Sequence, residues 1–96
     1  MSEETPAIDV RHEPDNRRFV TIVDGSQAVL DYQRGDRMIS LVHTGVPAEI
    51  GGRGVAAALV RAALDHARAE GLKVVPACSY VAAYLKRHPQ DADLVA

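Results

Sequence analysis

Several residue types on which common functions depend are scarce in this chain of 96 residues. It contains one cysteine, Cys78, so no disulfide can form within the chain, and a reducing compartment is expected. Three tyrosines and one phenylalanine, with no tryptophan, are too few for a surface that stacks single-stranded bases. With 11 basic and 13 acidic residues, the chain has no positive field for a phosphate backbone. We therefore expect no nucleic-acid partner.

Long apolar runs are also absent. No stretch approaches the roughly 20 residues that span a bilayer, and the first six residues are acidic and polar, unlike a signal peptide. We therefore expect no membrane partner and a cytoplasmic location. The histidines are scattered, at positions 12, 43, 66 and 88, and the lone cysteine has no partner at ligand spacing, so no bound metal is expected.

The composition is that of a globular protein, with 47% hydrophobic and 25% charged residues. The length predicts a single domain over residues 1–96, with residues 1–6 as a flexible tail. Apolar periodicity and turn residues predict strands at 7–12, 18–23, 27–33 and 37–43, a helix at 53–70, a strand at 72–76, a helix at 80–87 capped by Ser79, and an ordered or fraying C-terminal tail. This β-β-β-β-α-β-α order predicts an α+β fold, a mixed sheet with a helix packed against it.

The most informative segment has three glycines within four residues, directly before the long helix. Glycine allows positive φ and close approach of a ligand, and the first N–H groups of a helix attract phosphate. The P-loop pattern fails because no Lys-Ser or Lys-Thr pair is present. A dinucleotide fingerprint matches as Gly52-Arg53-Gly54-Val55-Ala56-Ala57, but the preceding loop is long and no acidic residue ends the next strand.

A third kind of phosphate loop fits these surroundings better. Residues 51–56, the glycine segment, are similar to the Gln/Arg-x-x-Gly-x-Gly/Ala signature of acyl-CoA-binding loops, with Gly51 in place of the usual Gln or Arg. His43-Thr44-x-Val46-Pro47 precedes the segment, and Pro76-x-Cys78-x-Tyr80-x-x-x-Tyr84 with His88-Pro89 follows it. Through these motifs, which span residues 43–89, the chain resembles the GNAT superfamily of N-acetyltransferases, in particular its short single-domain branch.

The resemblance implies an acetyltransferase that uses acetyl-CoA, with coenzyme A as product, to acetylate an amine of a small molecule or a protein. A non-catalytic acyl-CoA-binding or protein-interaction module is the alternative. In such a fold, backbone groups near the end of the fourth strand contact pantetheine, namely Leu41, Val42 and His43. Those of the glycine segment hold the diphosphate, namely Gly51, Gly52, Arg53, Gly54, Val55 and Ala56.

Three basic side chains are candidates for contacts with the phosphates of the cofactor. Arg53 would either add a positive charge at the diphosphate or remain in solvent. Lys86 and Arg87, at the end of the second helix, would either reach the 3′-phosphate or adenine or only complement the helix dipole.

Four residues are candidates for acetyl transfer, which needs a deprotonated amine and a protonated leaving thiolate. Cys78 either carries the acetyl group, in place of direct transfer in a ternary complex, or lines the pocket. No His or Asp nearby in the sequence would activate its thiol. Tyr84 either protonates the sulfur of coenzyme A or belongs to the core. His43 and Glu49 are alternative bases, or else a strand-end histidine and a helix-start carboxylate.

The acceptor side of such an enzyme would be open. Larger relatives enclose the acceptor site with a helical segment near the N-terminus. The hairpin turns of this chain are too short to contain such a segment. A homodimer or a protein substrate would then complete the acceptor site.

Overall fold

The computed structural model describes residues 8–96, which form a five-stranded sheet and two α-helices. The strands are β1 (Arg11–Glu13), β2 (Arg18–Val23), β3 (Ser26–Arg34), β4 (Met38–Gly45) and β5 (Lys73–Pro76); the helices are α1 (Val55–Glu70) and α2 (Ser79–Arg87). Short 3-10 turns lie at Pro14–Asn16, Ala48–Ile50 and Pro89–Leu94. Strands pair in the order β1-β2-β3-β4-β5, antiparallel except for the parallel pair β4–β5. The predicted α+β fold and element order are confirmed.

Some predicted boundaries were wrong. The first strand begins at Arg11, and residues 8–10 are not part of it. The long helix begins at Val55 because Gly54 has a φ of 80°, which a right-handed helix cannot include. The cap of α2 is Cys78, whose backbone is extended, while Ser79 is already helical. The predicted tail at 1–6 lies outside the described residues.

The turn between β2 and β3 is built from Asp24 and Gly25. Both residues have positive φ, 50° and 81°, as a two-residue type I′ turn requires, and this turn matches the twist of the paired strands. The Asp-Gly signal in the sequence therefore predicts this hairpin correctly.

The core lies between one face of the sheet and one side of α1. Buried residues of α1 recur at the spacing of an amphipathic helix: Val55, Leu59, Val60, Ala63, Leu64 and Ala67. They belong to one cluster with strand residues Phe19, Ala28, Leu30, Tyr32, Ile39 and Leu41. The same cluster includes Val81, Tyr84 and Leu85 of α2 and, near the C-terminus, Leu94.

Within residues 8–96, no helix is both long and apolar enough to cross a membrane.

The C-terminal residues are ordered against α1 and β5. The carboxylate of Asp91, which is 3% exposed, accepts hydrogen bonds from Arg61 at 2.8 and 3.1 Å and from Arg68 at 3.3 Å. Val95 forms a parallel bridge with Val74 of β5. Of the two states that the sequence left open for this tail, the structure has the ordered one.

A β-bulge alters the direction of side chains near the end of β4. The register between β3 and β4 shifts because Val42 is an extra residue. Leu41 lies opposite Tyr32, and Thr44 lies opposite Leu30. Since directly opposite residues share a face of the sheet, Leu41 and Thr44 both lie on the core-facing side. Without the bulge, two residues three positions apart would lie on opposite faces.

Candidate functional site

The parallel strands β4 and β5 separate at their carboxyl ends. Their last pair is Leu41 with Pro76, although β4 continues to Gly45. The chain leaves the sheet after Pro76, because the N–H of Ala77 donates to the carbonyl of Val75 at 3.0 Å instead of extending the ladder. The N–H of Cys78 then donates to the carbonyl of Leu41 at 2.9 Å. The end of β4 and the start of α2 therefore flank an opening, which we call the β4–β5 opening.

The glycine segment leads into the N-terminus of α1. Gly52 and Gly54 have φ values of 77° and 80°, where residues with a side chain are strained. A Cβ at either position would meet no atom within 4 Å, so backbone conformation, and not crowding, requires glycine here. The first helical hydrogen bond runs from Ala58 N–H to Gly54 carbonyl. The preceding N–H groups of α1 are therefore not used within the helix and can bind an anion.

A cleft of about 310 Å³ connects the glycine segment with the first turn of α2. Its lining comes from the loop after β4, the start of α1 and one aromatic residue of α2: Val46, Ile50, Gly51, Gly52, Gly54, Val55, Ala56, Ala57 and Tyr80. Of the residues predicted for the diphosphate, the cleft brings together all but Arg53. Tyr80 belongs to the motif that follows the glycine segment, and its position in the cleft depends on the packing of α2, which the sequence does not show.

Cys78 has surroundings that favour its thiolate. Its sulfur lies 3.5 Å from the hydroxyl oxygen of Thr44, and the residue caps the N-terminus of α2. Burial raises the pKa of the Cys78 thiol, but hydrogen bonding from Thr44 and from backbone N–H groups including those of Val81 and Tyr80 outweighs it, so the pKa lies below its usual value. The N–H groups approach the sulfur without completing a side-chain capping bond of regular geometry. The groups that lower the pKa of Cys78 are a threonine hydroxyl and backbone N–H groups, and not a His or Asp, the residue types considered in the sequence.

Tyr84 lies in the core cluster and is 7% exposed. Its ring stacks on that of His88 with centroids 3.9 Å apart and planes 12° apart, and His88 Nδ1 lies 2.8 Å from the carbonyl oxygen of Tyr84. The stacked pair ends α2. This position agrees with the core interpretation of Tyr84, whereas its role in proton transfer stays a prediction.

The two candidate bases are exposed and lie in different elements. His43 follows the bulge and lies opposite Asp31, on the sheet face away from α1. Its Nε2 is 3.2 Å from the point that a Cβ on Gly45 would occupy. Glu49 lies in the 3-10 turn Ala48–Ile50, ahead of the glycine segment. Among residues 8–96, neither side chain forms a hydrogen bond or ion pair that would identify it as the base.

The three basic candidates differ in their surroundings. Arg53 forms an ion pair with Asp24 in the β2–β3 turn. Lys86 and Arg87 are exposed in the last turn of α2. That turn is at the opposite end of the helix from Cys78 and Tyr80, and there the two charges complement the helix dipole.

A histidine pair that the sequence did not suggest lies on the α1 side of the sheet. The rings of His12 and His66 have centroids 4.5 Å apart, and His12 Nε2 lies 2.7 Å from the hydroxyl of Tyr32. Burial and the neighbouring His66 lower the pKa of His12. Within the described part of the chain, no three His, Cys, Asp or Glu side chains are grouped as a metal site would need.

Comparison with known proteins identifies relatives over most of the chain. A model of the family described as GCN5-related N-acetyl-transferase matches residues 18–94. Protein NATD1 of Gallus gallus is 39% identical over 92 residues, covering 93% of this chain and 84% of that protein. Protein NATD1 of Homo sapiens is 40% identical over 85 residues, covering 85% and 75% respectively.

A solved structure has the same fold. The solution structure of a GCN5-like protein from Staphylococcus aureus matches with a TM-score of 0.73 and 28% sequence identity. The match covers 93% of this chain and 88% of that one. The two proteins therefore share the fold over nearly the whole of this chain.

Proposed function

Because the chain belongs to the GCN5-related N-acetyltransferase family, we propose that it transfers the acetyl group of acetyl-CoA to an amine. The observation that carries this proposal is the β4–β5 opening. The glycine segment lies at the start of α1, the thiol of Cys78 lies at the start of α2, and a cleft connects the two helix starts. The cleft reaches α2 at Tyr80, two residues after Cys78. An anion-binding helix start and a nearby thiol suit a long, phosphate-bearing thioester.

The glycine segment would bind the diphosphate through backbone N–H groups. Positive φ at Gly52 and Gly54 turns the backbone into the start of α1, where the helix dipole also favours negative charge. Gly51 removes the side chain that family members usually have at this position, so the backbone carries more of the binding. Pantetheine would extend from there along β4, from Leu41, the last residue paired with β5, over Val42 and His43, where that edge of the strand is unpaired.

The transfer could follow either of two routes. In direct transfer, the amine nitrogen attacks the thioester carbonyl, a C–N bond forms, the C–S bond breaks, and the proton lost by the amine is returned to the leaving sulfur. In the covalent route, the Cys78 thiolate first exchanges with the thioester and releases coenzyme A, and the amine then attacks the acetyl-cysteine. The lowered pKa of Cys78 supports the second route.

Proton transfer needs a base for the amine and an acid for the sulfur. We assign the base to His43, since it follows Val42 at the opening and is exposed on the sheet face away from α1. Glu49 lies in the turn that leads to the glycine segment, where a carboxylate would face the diphosphate. Tyr84 is retained as the candidate acid.

Binding is the first test. Acetyl-CoA and coenzyme A should raise the melting temperature through linkage, whereas NAD should leave it unchanged. If neither acetyl-CoA nor coenzyme A raises the melting temperature, the proposal is wrong at its first step. Gly54→Glu should abolish the shift, because a carboxylate would project beside the diphosphate.

Turnover is the second test. Release of free thiol from acetyl-CoA should depend on an added amine, measured over a panel of small amines and lysine peptides. Cys78→Ser should reduce that rate, and full turnover in this variant would rule out the covalent route. Tyr84→Phe and His43→Asn should change the pH profile of the rate. Binding of acetyl-CoA without turnover would indicate a binding module.

Four further predictions from the sequence accompany this proposal. The chain would act as one domain over residues 1–96, in the cytoplasm, on an amine of a small molecule or protein. A second copy of the chain or a protein substrate would complete the acceptor side. Sedimentation with and without acetyl-CoA measures the oligomeric state.

A further inference from the structure

A contact between the β2–β3 turn and the glycine segment links two parts of the chain that are 29 residues apart. Arg53, which directly precedes Gly54, donates a hydrogen bond from Nη1 to Oδ2 of Asp24. Asp24 has a φ of 50° at the tip of the hairpin. The turn therefore brings a carboxylate to the only cationic side chain within residues 51–56.

The geometry of this ion pair is that of a weak and replaceable contact. A single nitrogen of the guanidinium is engaged, and the side chains of Arg53 and Asp24 are 50% and 70% exposed. Exposed pairs of this kind contribute little to stability, because water and salt screen them. A diphosphate carries more negative charge than one carboxylate and can bind a guanidinium through two oxygens.

We propose that Asp24 is an affinity-setting residue, whose carboxylate competes with the diphosphate of coenzyme A for Arg53. This inference rests on the proposed function. Because one exposed hydrogen bond constrains Arg53 only slightly, Asp24 orients it little, while the negative charge of Asp24 beside the glycine segment repels the ligand. Asp24 therefore weakens binding of the acyl donor and speeds release of coenzyme A after transfer.

Asp24→Asn isolates the charge without disturbing the turn. Asparagine tolerates positive φ, and Asn-Gly is favoured in type I′ turns. In calorimetric titrations with coenzyme A, this variant should bind about twofold to fivefold more tightly at low salt, as expected for one exposed charge. The gain should shrink at about 0.5 M NaCl, where the Debye length is only a few ångströms.

Two controls separate competition from a general charge effect. Asp36→Asn removes the same charge from an exposed turn between β3 and β4, at the opposite end of the sheet, and should leave the affinity unchanged. In an Arg53→Gln background, Asp24→Asn should lose most of its gain in affinity for coenzyme A, because the guanidinium for which the two anions compete is absent.

The outcomes are distinguishable. Unchanged or weaker binding by Asp24→Asn overturns the inference, and so does an equal gain in the Arg53→Gln background. Absence of coenzyme A binding by the unmodified chain overturns the proposed function itself. The melting temperature of each variant without ligand verifies that it is folded, so that an altered affinity reports on the site.

Discussion

The hydroxyl oxygen of Thr44 lies 3.5 Å from the sulfur of Cys78, although 34 positions separate the two residues in the chain. The bulge at Val42 turns Thr44 toward the core-facing side of the sheet, and the early end of β5 brings Cys78 beside it. A hydroxyl can donate to a thiolate but gains less from a neutral thiol, so this contact favours the charged form.

Replacing Thr44 by the isosteric valine should make Cys78 less reactive. Loss of the donated hydrogen bond raises the pKa of the thiol, so less thiolate is present at neutral pH. We expect alkylation by iodoacetamide to be several-fold slower near neutral pH, with the pH–rate curve displaced to higher pH. Thr44→Ser keeps the hydroxyl and should retain the curve of the unmodified chain. Coincident curves for the valine variant would show that Thr44 does not act on the thiol.

Gly54→Ala should weaken coenzyme A binding beyond its effect on stability. At a φ of 80° an added methyl group costs about 1–2 kcal/mol. Gly71→Ala is a matched control, since Gly71 caps the other end of α1 at a φ of 70°, and neither Cβ would meet an atom within 4 Å. Urea unfolding should show similar losses for both variants, whereas calorimetry should show weaker binding for Gly54→Ala alone. Equal affinities would place the diphosphate elsewhere.

Asp91→Asn should destabilise the fold by about 1–3 kcal/mol, because a buried carboxylate with charged hydrogen-bond donors is replaced by an amide. Asp65→Asn is the control: Asp65 also pairs with Arg61, but its side chain is 66% exposed, so its loss should cost about 0.5 kcal/mol or less. Thermal unfolding measures both. A loss for Asp91→Asn no larger than the control would mean that the C-terminal residues dock by apolar contacts alone.

The pairing of Asp91 with Arg61 makes the stability of the fold depend on pH. Hydrogen bonds from Arg61 lower the pKa of Asp91 below its ordinary value of 3.8. A lowered carboxyl pKa gives stability that is present above the ordinary value and lost as the pH falls through the folded value. The difference in unfolding free energy between the unmodified chain and Asp91→Asn should therefore shrink below about pH 4.

His12 should make the fold less stable in mildly acidic solution. Burial, and then the charge of His66, lower its pKa, so the unfolded chain binds the proton more readily. The stability contributed by neutral His12 is present above the ordinary value of 6.5 and is lost as the pH falls below it. His12 and His66 line one pocket of the surface, and the charged groups Arg17, Arg34 and Glu70 line it as well.

The measurement compares urea unfolding at about pH 7.5 and pH 5.5, on either side of an ordinary histidine pKa. His12→Asn should lose less stability between these two conditions than the unmodified chain. His43→Asn removes an exposed histidine from the other face of the sheet and is the matched control. An unchanged loss in His12→Asn would assign the acid sensitivity to other groups.

The elements and the glycine segment were predictable because their signals are local. Asp24-Gly25 encodes a tight turn, alternating apolar residues encode strands, and glycines before an Ala-rich segment encode the start of a helix. The cap of α2 was misassigned for a related reason: Ser79 is the better capping residue type, but the position of the strand end makes Cys78 the residue with extended backbone.

The contacts that define the site were not predictable, because they depend on register and packing between distant segments. A bulge of one residue at Val42 decides which of His43 and Thr44 faces the core side. The pairing of Arg53 with Asp24 depends on where a hairpin tip lies relative to α1. The approach of His66 to His12 depends on the position of α1 along the sheet.

The sequence alone therefore determined the family, the order of strands and helices, and the glycine segment that leads into α1. These follow from residue patterns that act over a few positions. The tertiary structure alone decided that Thr44 meets Cys78, that Arg53 pairs with Asp24 and that His66 approaches His12. Each of these contacts joins separate elements, and only the packing of the whole core determines their relative positions.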